Sequence, residues 1–457
     1  MKLFVAALFL SSATAFVPAS SLVRSSSSSS NAPALFAATD TDTKALIPPA
    51  LNEKDIQGLY ETNVQSTYGR YPLTIASGKG CHLYDTDGKE YLDCVAGIAT
   101  CALGHAHPVL IDAITNQMKS VHHVSNLYFI PAQAQLAKWL CDNSSAEQVF
   151  FCNSGAEANE AAIKCARKHA SVQRGVKKPV IVTAKQSFHG RTLAALTATA
   201  QPKYHEGFTY DGEMVPGFKY VEYNNVEDLK KVVEEIGDDL AAIMLEPLQG
   251  EGGIIPGTTE FFQTARQLCD DAGALLMLDE VQIGMGRSGK MWGHEQLNVV
   301  PDLFTSAKAL GGGVPIGAML ARGAAATTFG PGDHASTYGG NPLACAAGLA
   351  VAQVMCEENL LQNVQDRSEQ LTVGLEALAK KYPAILGEVR GWGLLKGVVI
   401  QDDYSAGDIV GDAMKAGLLL VPAGPSVVRF VPPLIVTEEE IDAALTMFET
   451  AVKGKVE

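Results

Sequence analysis

Short apolar runs alternate with longer polar segments through the middle of the chain, and this alternation limits the fold more than any other feature. Four of the runs are residues 149–151, 179–182, 241–245 and 275–278. Runs this short and this apolar are typical of strands buried on both faces, and the segments between them are long enough for helices. The pattern predicts a parallel sheet flanked by helices, which places the chain in the α/β class.

Composition narrows the class of protein further. The chain has 457 residues, more than one hydrophobic core usually supports, and its 47% hydrophobic and 19% charged residues fit a folded protein of two domains. A formal net charge of −15 opposes binding to nucleic acid and to anionic membranes, so neither is an expected partner. The nine cysteines show no metal-ligand spacing, and we expect reduced thiols and no metal site.

Changes in residue pattern along the chain indicate domain boundaries. Residues 1–45 read as a targeting presequence and not as part of the fold. Residues 101–355 carry the alternating runs and are predicted to form a large domain, and a small α+β domain is expected at 356–457. Residues 51–100 are expected to contribute to the small domain. Thr437, followed by three glutamates, predicts the start of the last helix.

One segment has the character of an anion site. Residues 153–159 follow a predicted strand and open a predicted helix. Backbone N–H groups at a helix start are unpaired and lie at the positive end of the helix dipole, so Ser154, Gly155 and Ala156 can hold a phosphate. A capped helix without a ligand explains the segment about equally well.

Two charged residues stand at the ends of predicted strands. Asp279 follows the run at 275–278, the position at which open α/β sheets bind ligands, and a protonated pyridine nitrogen would meet its charge. The alternative is an aspartate that caps the next turn. Lys308 lies beside apolar residues and a run of three glycines, a setting that favours a lowered pKa and imine chemistry. The alternative is a surface lysine.

The order of these segments gives the chain a recognisable pattern. With phosphate loop, strand-end Asp279 and strand-end Lys308 in this sequence, the chain resembles the class III, fold-type-I aminotransferases of the acetylornithine and ornithine group. The likeness runs from about residue 68 to about residue 448 and includes the string LDEVQIGMGRSG at 278–289. It implies a pyridoxal 5′-phosphate enzyme with a mixed, mostly parallel sheet in the large domain and a smaller α+β C-terminal domain.

The resemblance implies a role for each matching residue. Lys308 would carry the cofactor and move the proton between substrate and cofactor, with Asp279 on the pyridine nitrogen and Gln282 on the ring hydroxyl oxygen. Phe188 would stack on the ring, and Arg191 would clamp the substrate α-carboxylate. His189, between them, is taken as a packing residue without a catalytic role.

The same resemblance implies an obligate homodimer with shared active sites. Gly155 and Ala156, together with Ser154, would bind the cofactor phosphate from one subunit. Residues 336–342 match the segment that reaches into the neighbouring subunit, where Thr337 would bind the other subunit's phosphate and Ser336 would lie at the substrate site.

A further pair of residues answers a problem of specificity. The amine donor carries its reacting amine far from its carboxylate, whereas 2-oxoglutarate carries its reacting carbonyl next to one. A permanently free arginine would therefore favour α-amino acids in both half-reactions. The resemblance implies that Glu251 covers Arg429 while the donor reacts and uncovers it for 2-oxoglutarate. Glu246 either supports this loop or is a structural carboxylate at a strand end.

Three segments bear on the substrate. Residues 68–72, 97–99 with 102–105, and 125–128 resemble acetylornithine enzymes more than ornithine enzymes, although Thr100 and Cys101 depart from many relatives in the acyl pocket. The expected reaction converts N-acetylornithine and 2-oxoglutarate into N-acetylglutamate 5-semialdehyde and glutamate, a step of arginine biosynthesis. Ornithine, succinylornithine and 4-aminobutyrate remain alternative donors, and a mutase or a non-catalytic cofactor-binding homologue remains an alternative function.

The first residues resemble a targeting sequence. A basic and apolar start ends in Ala13-Thr14-Ala15, as in a signal peptide of about 15 residues, and a serine tract at 25–30 follows before the first acidic residue. Together they resemble the bipartite plastid presequence of algae with secondary plastids, and nine unpatterned cysteines suit a reducing stroma. A secreted or mitochondrial protein is the alternative.

Overall fold

The computed structural model describes residues 52–455, and the predicted presequence at 1–45 lies outside the described residues. Chain contacts divide the protein into two compact units, the first ending at Gln65 and the second beginning at Ser66. The described part of the first unit contains helix α1 (Glu53–Asn63). Asn52 begins this helix because its side chain accepts a hydrogen bond from the backbone N–H of Asp55.

Twelve α-helices are described in the second unit. They are α2 (Ala96–Ala99), α3 (Pro108–Ser120), α4 (Pro131–Asp142), α5 (Gly155–Lys168), α6 (Leu193–Ala198), α7 (Val226–Ile236), α8 (Thr259–Ala272), α9 (Gly323–Ala326), α10 (Pro342–Glu357), α11 (Leu360–Lys381), α12 (Ala406–Lys415) and α13 (Glu438–Lys453). Short 3₁₀ turns include Lys308–Gly311. The last helix begins as predicted, because Thr437 and Glu440 cap each other's backbone N–H groups.

Seventeen strands are described in the same unit. They are β1 (Ile75–Lys79), β2 (His82–Asp85), β3 (Glu90–Asp93), β4 (Gln148–Cys152), β5 (Val180–Ala184), β6 (Phe218–Val221), β7 (Leu240–Leu245), β8 (Leu248–Gln249), β9 (Ile255–Pro256), β10 (Leu275–Asp279), β11 (Leu303–Ser306), β12 (Gly317–Ala321), β13 (Leu386–Trp392), β14 (Leu395–Ile400), β15 (Leu418–Leu419), β16 (Val421–Pro422) and β17 (Val427–Phe430).

The central sheet has seven strands in the order β4-β12-β11-β10-β7-β5-β6. From β11 to β6 every neighbouring pair is parallel, and only β12 runs against its two neighbours. Helix α5 packs against β11 and β12, and α8 packs against β7 and β10. The four apolar runs all lie in this sheet, so the prediction of a mostly parallel sheet flanked by helices is confirmed.

The parallel strands all end at the same edge of the sheet, where α/β proteins place their ligands. Strand β10 ends with Asp279 itself, Lys308 is the second residue after β11, and Glu246 directly follows β7. Strand β5 leads into the segment that holds Phe188 and His189. Topology therefore brings together residues that lie as much as 120 positions apart in the chain.

Two smaller four-stranded sheets combine early and late parts of the chain. In the first, β1, β2 and β3 are continued by β15, which pairs with β3 in parallel through Leu92 and Leu418. The second has the order β13-β14-β17-β16 and is antiparallel throughout. Between residues 52 and 455, none of the helices combines the length and the apolar character that crossing a bilayer requires.

Candidate active site

A cavity of about 390 Å³ lies at the carboxyl edge of the central sheet. Nine residues predicted to bind cofactor or substrate line it: Ser154, Gly155, Ala156, Phe188, Arg191, Glu251, Asp279, Gln282 and Lys308. Five further polar residues line it as well: Thr100, Asn153, Asn159, His189 and Glu246. The sequence thus indicated nine of the 23 residues that line the cavity, and the tertiary structure adds the others.

The start of helix α5 forms one wall of the cavity. Ser154 caps the helix by accepting a hydrogen bond from the backbone of Glu157 at 3.2 Å. Within residues 52–455, the N–H groups of Gly155 and Ala156 have no hydrogen-bond partner. A Cβ atom on Gly155 would lie 2.7 Å from a methyl carbon of Val281, so only glycine fits this approach. These free donors at a helix start form a cradle that fits a phosphate.

Asp279 forms the floor of the cavity and is almost fully buried. Its Oδ2 accepts hydrogen bonds from His189 Nδ1 and Asn159 Nδ2, both at 2.8 Å, and its Oδ1 accepts one from the backbone of Val281 at 3.0 Å. Asn159 is fixed in turn by the Thr305 hydroxyl at 2.8 Å. The carboxylate is therefore held in one orientation, and it fits a cationic ring nitrogen in the cavity.

His189 has a larger role than the packing role predicted for it. Burial opposes its charged form, but the hydrogen bond to Asp279 and the charges of Asp279 and Glu246 raise the pKa of His189 above its ordinary value. The imidazole of His189 is therefore in direct contact with the Asp279 carboxylate. Asn159 was missed in the sequence, although an amide inside the alanine-rich start of α5 was a usable signal.

Lys308 follows β11 and begins a 3₁₀ turn with a positive φ of 44°. Burial lowers the pKa of its amine to about 8. Within the described residues its ammonium has no hydrogen-bond or ion-pair partner. Because the amine lines the cavity and loses its proton at mildly alkaline pH, it is able to form a covalent bond to a carbonyl ligand.

Glu251 and Arg429 meet at the side of the cavity in a closed ion pair. Arg429 Nη1 donates to Glu251 Oε1 at 2.5 Å and to Gln282 Oε1 at 2.9 Å, and Nη2 lies 3.4 Å from Glu251 Oε2. Burial raises the pKa of Glu251, but the charge of Arg429 and its hydrogen bond outweigh burial and lower it. Gln282 also donates to Glu251 at 3.3 Å, so it contacts both members of the pair.

Glu246 links the floor of the cavity to this pair. It accepts hydrogen bonds from the backbone N–H groups of Phe188 at 3.0 Å and Gly250 at 3.3 Å. Burial and the charge of Asp279 raise the pKa of Glu246 to about 7, against the opposing effect of His189. Because Gly250 precedes Glu251, the carboxylate fixes the start of the loop that carries Glu251.

Of the other predicted residues, Arg191 lines the cavity, whereas Ser336 and Thr337 are not among its lining residues. Arg191 is exposed, and its guanidinium carbon lies 4.0 Å from the centre of the Tyr204 ring and 5.4 Å from that of Phe188. Ser336 accepts a hydrogen bond from Asn153 at 3.1 Å. Its neighbour Thr337 is exposed and points to no partner within the described residues.

A phosphate cradle, a buried carboxylate and a lysine amine that opens on one cavity are the donor set of a pyridoxal 5′-phosphate enzyme. The class-III aminotransferase model matches residues 64–452. The chain belongs to the class-III aminotransferases, which depend on pyridoxal 5′-phosphate, and its mixed α/β fold is that of fold type I.

Individual relatives agree with this assignment. The acetylornithine aminotransferase of a Nostoc species is 58% identical over 398 residues, 86% of this chain and 92% of that protein. The one from Thermosynechococcus vestitus is 56% identical over 86% of this chain and 96% of that protein.

Solved structures show the same fold. The ornithine aminotransferase of Toxoplasma gondii superposes with a TM-score of 0.85 at 30% identity, covering 89% of this chain and 96% of that one. The N-acetylornithine aminotransferase of Stenotrophomonas maltophilia gives a TM-score of 0.73 at 39% identity, over 85% and 97% of the two chains. The predicted family is confirmed.

Proposed function

We propose that this aminotransferase moves the terminal amino group of N-acetylornithine to 2-oxoglutarate, giving N-acetylglutamate 5-semialdehyde and glutamate, as a step of arginine biosynthesis. The closed pair of Glu251 and Arg429 carries the proposal, because it hides the cation that would otherwise select α-amino acids as donors. The cyanobacterial relatives that share more than half of their residues with this chain bear the matching name. The ornithine aminotransferase of Toxoplasma gondii is 30% identical.

The positions of the cavity residues support the roles proposed for them. Bound pyridoxal 5′-phosphate supplies an electron sink for the carbanion formed at the reacting carbon. Lys308 holds the cofactor and then accepts and returns the proton at that carbon, since its amine is neutral at slightly alkaline pH. Asp279 keeps the ring nitrogen protonated, and its partners His189 and Asn159 keep the carboxylate oriented.

Substrate binding divides between two cations. Arg191, exposed at the rim beside Phe188, is placed to grip the carboxylate of N-acetylornithine or the distal carboxylate of 2-oxoglutarate. Arg429 grips the α-carboxylate of 2-oxoglutarate only after Glu251 has left it. Phe188 would cover one face of the bound cofactor ring, and Gln282 would meet its hydroxyl oxygen.

The protein is proposed to work as a homodimer with shared sites. Leu127, Tyr128 and Phe129 are strongly exposed, and so is Tyr338 next to Thr337. Asn126 joins the two segments by donating to the carbonyls of residues 336 and 339. An apolar face of this kind needs a partner, and a second copy would bring Thr337 to the neighbouring phosphate.

Two further proposals concern the whole chain. The plastid address of residues 1–45 is supported by the cyanobacterial kinship and is tested by fusing those residues to a fluorescent reporter. The division into residues 51–100, 101–355 and 356–457 is supported by the pairing of β3 with β15 and is tested by limited proteolysis.

Steady-state kinetics on the mature chain test the proposed substrate. N-acetylornithine, ornithine, succinylornithine and 4-aminobutyrate are each paired with 2-oxoglutarate, and N-acetylornithine is expected to give the highest kcat/KM. A higher value for ornithine or 4-aminobutyrate would replace the proposed donor and leave the family assignment intact. Bound cofactor without turnover of any donor would identify a non-catalytic homologue.

A further inference from the structure

Three residues lie side by side across the second small sheet. Arg390 on β13 is opposite Gly397 on β14, and Gly397 is opposite Arg429 on β17. Directly opposed residues of antiparallel strands project from the same face, and two strand spacings amount to about 10 Å. Arg390 and Arg429 therefore stand on one face at that separation, with no side chain between them.

The loop that carries Glu251 lies across this gap. A Cβ atom on Gly397 would lie 2.9 Å from Cβ of Ile254, and one on Gly253 would lie 3.2 Å from Nη2 of Arg390. At its other end the loop contacts Arg429 through the Glu251 carboxylate. The loop is thus flanked by two arginines, and Glu251 is paired with only one of them.

The two arginines differ in how far their donors are used. Arg429 is buried and donates four hydrogen bonds. Arg390 makes no hydrogen bond within residues 52–455, and the Nε of each arginine is buried without a partner there. Its one ion pair there is a loose contact of 3.6 Å with Glu388, whose side chain is 67% exposed. Arg390 therefore has donors free for a better acceptor.

The backbone around Glu251 is suited to movement. Gly250 and Gly252 flank the glutamate, and Gly253 has a φ of 113°, a conformation that side-chain-bearing residues rarely adopt. Ile254 is fully buried in a left-handed conformation with a φ of 56°. The glycines allow Glu251 to change direction while the buried isoleucine keeps the end of the loop in place.

We infer that Arg390 is the second ion-pair partner of Glu251. The glutamate pairs with it after leaving Arg429 for the 2-oxoglutarate half-reaction. The inference rests on the proposed gating by Glu251 and Arg429. A carboxylate that left a buried arginine for water would lose its ion pair, and Arg390 replaces that pair. Arg390 is in this sense a positioning residue that makes the uncovered state of Arg429 accessible, and it does not touch the reacting atoms.

Single-turnover absorbance measurements on the holoenzyme test this role. Arg390→Gln is expected to slow the glutamate half-reaction by about threefold to tenfold while leaving the N-acetylornithine half-reaction within about twofold. Arg390→Lys should recover most of the lost rate because it keeps the charge. Arg367→Gln is the matched control, since Arg367 is partly buried and pairs with a similarly exposed glutamate, Glu438, away from the cavity.

A double variant separates the alternatives. In a Glu251→Ala background no carboxylate remains to move, so Arg390→Gln should have no further effect on the glutamate half-reaction. An effect that persists in this background would mean that Arg390 binds the substrate directly, and equal slowing of both halves by Arg390→Gln alone would mean a structural role. Either result overturns the inference. Failure of the gating proposal itself is recognised separately, as unchanged donor preference in the single variant Glu251→Ala.

Discussion

The floor of the cavity at Asp279 and its gate, the pair of Glu251 and Arg429, each join a carboxylate to a nitrogen-bearing partner, but only the carboxylate at the floor is buried. At the floor, Asp279 is bound by a side chain from α5, a side chain that follows β5 and its own strand-end backbone. At the gate, Glu251 stands on a glycine-rich loop and meets Arg429 on a strand of another sheet. The floor has one arrangement, whereas the gate has room for two.

Burial and the supply of partners explain the difference. The Asp279 side chain is 5% exposed and that of Glu251 is 25% exposed. Any movement of Asp279 would leave two buried donors without an acceptor, which costs several kcal/mol at most positions of this kind, roughly 1 to 3 for each group. Glu251 can leave Arg429 and meet water or another cation. One cavity therefore contains a carboxylate held in a single orientation, Asp279, and a carboxylate that is free to change its partner, Glu251.

Substitution at the floor should produce the largest effect. Lys308→Ala is expected to reduce turnover by more than about 10⁴-fold, beyond the usual contribution of general acid–base catalysis, because covalent attachment is lost as well. The cofactor should still bind through the cradle and Asp279. Borohydride reduction of the native enzyme, followed by peptide mapping, should fix the pyridoxyl group on Lys308.

Lys396 provides the matched control for this prediction. Burial lowers its pKa to about 8 as well, but it lies on β14 and donates to the carbonyl of Gly391. Lys396→Met should retain turnover, and pyridoxyl label on Lys396 in the native enzyme would contradict the assignment. Comparing the two lysines tests whether position in the cavity, and not the lowered pKa alone, decides which amine reacts with the cofactor.

A milder change at the floor should slow both half-reactions to the same degree. Asp279→Asn removes the charge that faces the ring nitrogen and is expected to lower both rates by roughly 10²- to 10³-fold, the scale of one lost electrostatic contact in an active site. Thermal unfolding should change little because Asn159 and His189 keep a polar partner. Near-normal rates would assign the protonation of the ring to another acid.

A change at the gate should affect the two halves unequally. Glu251→Ala leaves Arg429 permanently uncovered, so glutamate should improve as a donor relative to N-acetylornithine by about tenfold to a hundredfold in the ratio of kcat/KM. Arg429→Ala should act in the reverse direction by weakening 2-oxoglutarate and glutamate. If both variants slow both half-reactions equally, the ion pair is structural and the contrast between floor and gate disappears.

The smallest expected effect is a shift in the pH dependence of cofactor capture by Lys308 when Glu251 is replaced. Because the pKa of Lys308 is lowered to about 8, the reactive neutral amine dominates above that pH, and capture of pyridoxal 5′-phosphate by the apoenzyme should slow by about tenfold for each pH unit below it. The charge of Glu251 opposes this lowering. Glu251→Ala should therefore move the midpoint to lower pH, and a midpoint that stays in place would mean that gate and floor are electrostatically independent.

The sequence by itself determined the local elements and the chemistry at their ends. Uniformly apolar runs of four to six residues between longer polar segments are typical of interior strands, and this pattern predicted β7 and β10 and hence the placement of Asp279 at a strand end. The glycine at the start of α5 and the lysine beside three glycines were also recognisable from the sequence, because each is an unusual residue for its local setting. Ordered motifs then indicated the family.

Only the tertiary structure decided which distant residues meet. Nothing in the sequence near His189 indicates that its ring would face Asp279, 90 positions away, because that contact depends on β5 and β10 ending at one edge. The neighbourhood of Arg390 and Arg429 depends in the same way on the register of three antiparallel strands. A sequence reports the chemistry that each residue carries, and strand order and register determine which of those residues share a cavity.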